Sequence, residues 1–153
     1  MSPAASAAPA PTDGPQAAVG REAVRTYQDW WAAQVDAFGR TDSTSAQLRV
    51  LSTGPALSQV VVSLQQLHTA KLVMTGRPVN SPVVTKVDLS GTPYSVELDD
   101  CVDVTGWHQA DAGNGSIKDP PQRLSRYVVH VVLRTIGSIW KVFEFKPEAG
   151  RTC

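Results

Sequence analysis

The sequence predicts an α+β fold, with helices first and an antiparallel sheet after them. Apolar residues recur at helical spacing as far as about residue 74. From residue 83 the apolar period changes to two, and Gly-containing turns separate the strand patterns that follow. Helical patterns followed by hairpin patterns place helices against one face of an antiparallel sheet.

The first helix is predicted over residues 20–38. Val24, Tyr27, Trp31, Val35 and Phe38 fall on one helical face, Trp30 flanks that stripe, and Gly39 suits a C-terminal stop. A short second helix follows over 45–51, capped by Asp42, Ser43 or Thr44. Gly54-Pro55 breaks the chain and opens a third helix, because Pro is tolerated in a first turn. Its apolar side carries Leu57, Val60, Val61, Leu64 and Leu67, and it is expected to end near Met74 before Gly76 and Pro78.

Strand patterns then take over. Val83, Thr85, Val87 and Leu89 alternate with Val84, Lys86 and Asp88. After a turn at Gly91-Thr92, Tyr94, Val96 and Leu98 alternate with Ser95, Glu97 and Asp99, continuing to about Val104. Residues 111–122 are polar, with Gly113-Asn114-Gly115 and Pro120-Pro121, and read as a loop. Two strands, 124–136 and 139–145, close the chain around a tight turn at Gly137-Ser138.

Composition bounds the function. At 153 residues the chain suits one domain, and 42% apolar content supplies a core. Fourteen basic and 14 acidic side chains cancel, so no electrostatic footprint points to nucleic acid. No apolar run approaches the roughly 20 residues that span a bilayer, so membrane attachment is expected only through an anchor upstream of this chain.

Residues 1–19 are mostly Ala, Pro, Ser and Gly with almost no charge. They are expected to form a disordered linker, with the domain covering residues 20–153. The segment lacks the basic and apolar regions of a signal peptide. Either the protein is cytosolic, or Met1 follows a signal or lipoprotein anchor.

The helix–helix–helix–hairpin–hairpin order, the aromatic first helix with Tyr27, Trp30 and Trp31, and the closing Gly137-Ser138-Ile139-Trp140-Lys141-Val142 resemble an NTF2-like domain. Asp100-Cys101-Val102-Asp103 followed by Trp107, with a terminal cysteine, resembles the secreted actinobacterial members of that family. The resemblance covers residues 20–153. It implies three helices packed on a curved sheet that forms a cone, in the SnoaL or ketosteroid isomerase manner.

Cys101 and Cys153 are the two cysteines. Their number fits one bridge or two free thiols equally. Strand parity sends Cys101 to the face opposite Val96 and Leu98, where the chain end could reach it. The family resemblance favours the bridge, and with it an extracytoplasmic, oxidising location.

The resemblance also implies a cone-shaped pocket, lined here by Tyr27, Trp30, Trp31, Trp140 and Glu144, the last sharing parity with Trp140 and Val142. The opposite sheet face would carry Val128, His130, Val132, Phe143 and Phe145. That face is either a contact surface, for a homodimer through the sheet, or is covered by the C-terminal tail. Enzymes of the fold place an Asp or His in the cone. Asp29 lies off the first helix's stripe, His68 lies on the apolar side of the third helix, and His130 points outward by parity. No spacing marks a catalytic or metal-binding set, and no cofactor is expected. The functional expectation is a non-catalytic domain that binds a small apolar ligand or a protein partner, as in an envelope assembly. The alternative is a small isomerase- or dehydratase-like enzyme with a pocket acid or base.

Overall fold

The computed structural model describes residues 13–153. Their order is α1 (Gly14–Arg40), α2 (Ala46–Leu51), α3 (Gly54–Thr69), β1 (Leu72–Gly76), β2 (Pro82–Asp88), β3 (Ser95–Asp103), β4 (Trp107–Asp111), β5 (Arg126–Ile136) and β6 (Ile139–Pro147). The architecture is α+β, with the three helices packed on a curved antiparallel sheet. None of the described helices is long and apolar enough to cross a membrane.

The linker expected over residues 1–19 falls partly outside the described residues. Within them it is corrected, because α1 begins six residues before the expected boundary. Pro15 stands in the first turn, Ala17 and Ala18 are strong helix formers, and Ala17 and Gly20 are buried. Gly20 lies against Val84 and Val87 of β2, so packing fixes a stretch whose composition alone looked loose.

The buried face of α1 includes Tyr27, Trp30, Trp31, Ala37 and Phe38. Trp30 is completely buried, so the stripe is rotated toward it from the predicted line. α2 is capped by Ser45, whose hydroxyl accepts from the Leu48 N–H. α3 stops at Thr69, short of Met74, and Lys71 turns the chain in the left-handed region with φ 59°. Residues 72–76 then become β1, antiparallel to β4. A two-residue difference in helix end would be fraying. Here tertiary pairing has converted the last predicted turn into a strand. Gly76 is required at the junction, because a Cβ there would lie 2.0 Å from the Gly106 carbonyl oxygen.

The main sheet runs β2-β3-β5-β6 and is antiparallel throughout. Its inner face carries Val96, Leu98 and Val102 of β3 with Val129, Val131 and Leu133 of β5, all fully buried. α1 packs on β2, β6 and β1, and α3 packs on β6 and β1. This core is the main stabilising element, since each such side chain contributes roughly 1.5–3 kcal/mol on burial.

One irregularity overturns two expectations. Val132 pairs with Glu144, but Leu133 pairs with Val142, so Phe143 is an extra residue in β6. The bulge inverts parity beyond it. Glu144 therefore lies opposite outward Val132 rather than inside the cone. Phe145 lies opposite inward Val131 and packs edge-on against Trp30 and Trp31, with ring centroids 5.3 and 5.7 Å apart. Phe143 itself sits under the Arg134 guanidinium, 4.0 Å from its ring centre, and against Gly54.

Candidate functional site

A cavity of about 470 Å³ opens where the β1–β4 ladder meets the start of β5 and the tail after β6. Met74, Val104, Trp107, Leu124, Tyr127 and Pro147 give it apolar walls. They come from four stretches of chain: β1, the turn from β3 into β4, the entry to β5 and the end of β6. Trp107 is held from behind by Trp31 and Phe38, at centroid distances of 5.6 and 5.5 Å in edge-on geometry. This aromatic wall is therefore rigid, while Leu124 is 65% exposed and stands at the mouth.

The polar rim is tied to itself. The Asp119 carboxylate pairs with His108 Nδ1, accepts the Gln109 N–H at 2.8 Å, and lies 3.6 Å from Arg123. Arg123 donates to the carbonyls of Val104 and Trp107 at 2.9 and 2.8 Å. Partial burial pushes the Asp119 carboxyl up. The His108 and Gln109 hydrogen bonds and the Arg123 charge outweigh that and hold it below the usual value. Charges compensated in this way leave little for an ionic ligand to pair with.

A second polar cluster is centred on a buried carboxylate beneath α1. Asp100 is completely buried and accepts three hydrogen bonds: from the Tyr27 hydroxyl at 2.6 Å, Asn80 Nδ2 at 2.8 Å and the Ser81 N–H at 2.6 Å. It ties α1 to β3 and to the segment entering β2. Burial, and then the Asp100 charge, push the Tyr27 hydroxyl well above its usual value, so it stays a neutral donor. Strand parity carried the signal for Asp100: the alternation that turns Cys101 outward turns Asp100 inward.

The residues expected to line the cone are mostly core. Tyr27 and Trp30 are fully buried, and Trp31 and Trp140 nearly so. Trp31 borders a cleft of about 180 Å³ beside Arg77, and Trp140 one of about 410 Å³ beside Tyr94. The large apolar cavity lies beyond Trp107, on the far side of Trp31. The sequence reading singled out none of its lining residues except Trp107, and that only as part of a motif.

On the outer face, Cys101 is bridged to Cys153, with Cα atoms 6.0 Å apart. The tail crosses beside Val128, whose carbonyl accepts the Glu148 N–H at 2.9 Å. His130 lies between Asp99 at 2.8 Å and Glu97 at 3.0 Å. Asp99, His130 and Glu148 bring ligating atoms within 4.8 Å of one another, a metal-compatible set. Arg151 pairs with Glu148 at 2.6 Å and Asp99 at 3.7 Å, so this chain supplies the cluster with positive charge of its own. Val132 remains half-buried on the same face.

No protein-family model matches the chain, and no curated protein matches it. Among solved structures it is similar to the intermembrane space region of the chloroplast protein ARC6, with TM-score 0.56 and 18% identity. That match covers 86% of this chain and 97% of the other. Kfla4162 protein from Kribbella flavida matches with TM-score 0.48 and 12% identity, over 88% of this chain and 93% of the other. At this identity the ARC6 likeness shows a related fold and nothing further.

Proposed function

We propose that the chain is a non-catalytic NTF2-like module working outside the cytoplasm, and that its cavity takes a small, uncharged, largely apolar ligand. An apolar side chain of a protein partner is the same chemistry presented on a larger surface. The observation that carries this reading is the cavity of about 470 Å³ between Met74, Trp107, Leu124 and Tyr127, whose rim charges are already paired. That volume and lining are typical of small-ligand sites. The Cys101–Cys153 bridge supports an oxidising location.

Against catalysis stands the inward carboxylate, Asp100, which is fully buried and saturated by donors. A general base must reach its proton. One observation favours the enzyme alternative: Asp119 orients His108 at the cavity rim.

The test is titration with N-phenyl-1-naphthylamine, an uncharged apolar fluorophore. Saturable emission enhancement at one probe per chain is expected, lost in Leu124→Asp, where the exposed side chain can change without disturbing the core. Retention of His108→Ala binding is expected on the non-catalytic reading. Absence of saturable binding, or equal binding by Leu124→Asp, removes the cavity as the site.

A further inference from the structure

The segment that follows β6 serves two structures at once. Its beginning, Glu148 and Ala149, forms one wall of the cavity together with Pro147 at the end of β6. Its end, Cys153, is bonded to Cys101 on the outer face of β3. Between them the chain has no helix or strand, and residues 149–153 are all exposed. No core side chain anchors it. The tethers are the Glu148 N–H to Val128 hydrogen bond, the ion pairs of Arg151 with Glu148 and Asp99, and the covalent bridge. The other walls belong to the β1–β4 ladder, the start of β5 and the loop before it, and two of them are locked by aromatic packing and by Arg123.

We propose that residues 148–153 are a strap that completes the ligand cavity, and that the Cys101–Cys153 bridge holds it shut, so that ligand is retained only by the oxidised chain. The inference rests on the cavity being the binding site and adds how that site is controlled. Closing the strap forms one S–S bond. The two thiols lose two protons and two electrons to a partner disulfide, which is reduced to two thiols; a dithiol reductant such as dithiothreitol runs the exchange backward. A chain still in a reducing compartment would carry a cavity open on one side. Export would therefore activate binding as well as stabilise the fold.

Exposed surface tethers of this kind are weak without the covalent link, since solvent-screened ion pairs contribute little. The bridge is thus the element to break. The experiment compares N-phenyl-1-naphthylamine binding by the oxidised chain, the chain reduced with dithiothreitol, and Cys101→Ser/Cys153→Ser, with far-UV circular dichroism confirming that each is folded. Loss of the preorganised wall is expected to weaken binding about tenfold or more, mostly through faster release. In the oxidised chain, bound probe is expected to slow amide hydrogen exchange at Glu148 and Arg151.

Equal affinity of folded reduced and oxidised chains would overturn the strap and leave the cavity reading standing. Should the reduced chain unfold, exchange in the oxidised chain decides: no slowing at Glu148 and Arg151 on probe binding overturns the strap. Failure of the oxidised chain itself to bind removes both.

Discussion

Asp100 and Asp119 are two carboxylates treated in opposite ways by one fold. Both accept a backbone N–H and a side-chain donor from a neighbouring segment. Asp100 sits under α1 with no exposed surface, whereas the Asp119 side chain keeps 19% of its surface in solvent at the cavity rim. Local hydrogen-bond chemistry is similar, so access separates the roles. The sealed carboxylate joins elements that must not move. The rim carboxylate shapes a mouth through which something can pass. Polarity alone would have marked both as candidate acid–base groups, and burial reserves the first for architecture.

The comparison breaks most sharply at Asp100. Asp100→Ala leaves the buried Tyr27 hydroxyl without its acceptor, while half-buried Asn80 and exposed Ser81 can turn to water. The expected loss is about 2 kcal/mol, most of it from the buried Tyr27 hydroxyl, at roughly 1–3 kcal/mol for an orphaned buried donor. Urea denaturation monitored by tryptophan fluorescence measures it. Tyr27→Phe removes one donor and its partner bond together, and should cost on the order of 1 kcal/mol. A loss below that for Asp100→Ala would mean that water reaches the cluster.

Asp119→Ala should act the other way round. Its partners are partly solvated and can turn to water, so stability should fall by only about 1 kcal/mol. Probe affinity for the cavity should change more than stability does, because Arg123 and His108 lose the carboxylate that compensates them. A variant with weakened folding and unaltered N-phenyl-1-naphthylamine affinity would make Asp119 a second architectural residue and erase the contrast.

How much of this was legible in the sequence follows from the range of each signal. The alternation in β3 and β5 was readable because one face is packed under helices, and Val129, Val131 and Leu133 are buried as their spacing demands. The same alternation places Asp100 on the buried face, since it is the immediate neighbour of outward Cys101. Helix α1 was readable in its centre but not at its start, since Ala-rich composition serves a linker and a helix equally until Gly20 meets β2. β1 and β4 were illegible: each is five residues long and is stabilised by a partner about 35 positions away. The Phe143 bulge has no local sequence mark, and it alone sent Glu144 outward and Phe145 inward. The cavity was hidden for the same reason as β1, because its walls converge from separate segments and from a tail that only the bridge brings near.

The smallest expected effect concerns the outer face, where a histidine replaces the carboxylate as the informative group. His130 faces Glu97 and Asp99 from β3, Lys146 from β6, and the Glu148–Arg151 pair from the tail. Partial burial would lower its value, but the hydrogen bonds it donates to Asp99 and Glu97, and their charges, raise it above 6.5. The folded chain therefore binds the His130 proton more tightly than the unfolded chain does. By linkage its contribution is fully present below about pH 6.5, and it is lost as pH rises through the elevated folded value. The urea midpoint should thus decline as pH rises from about 6.5 through the elevated folded value, and His130→Gln should flatten that decline without altering the Asp100 cluster. Parallel pH profiles for the two chains would show that the outer-face carboxylates hold the histidine no better folded than unfolded.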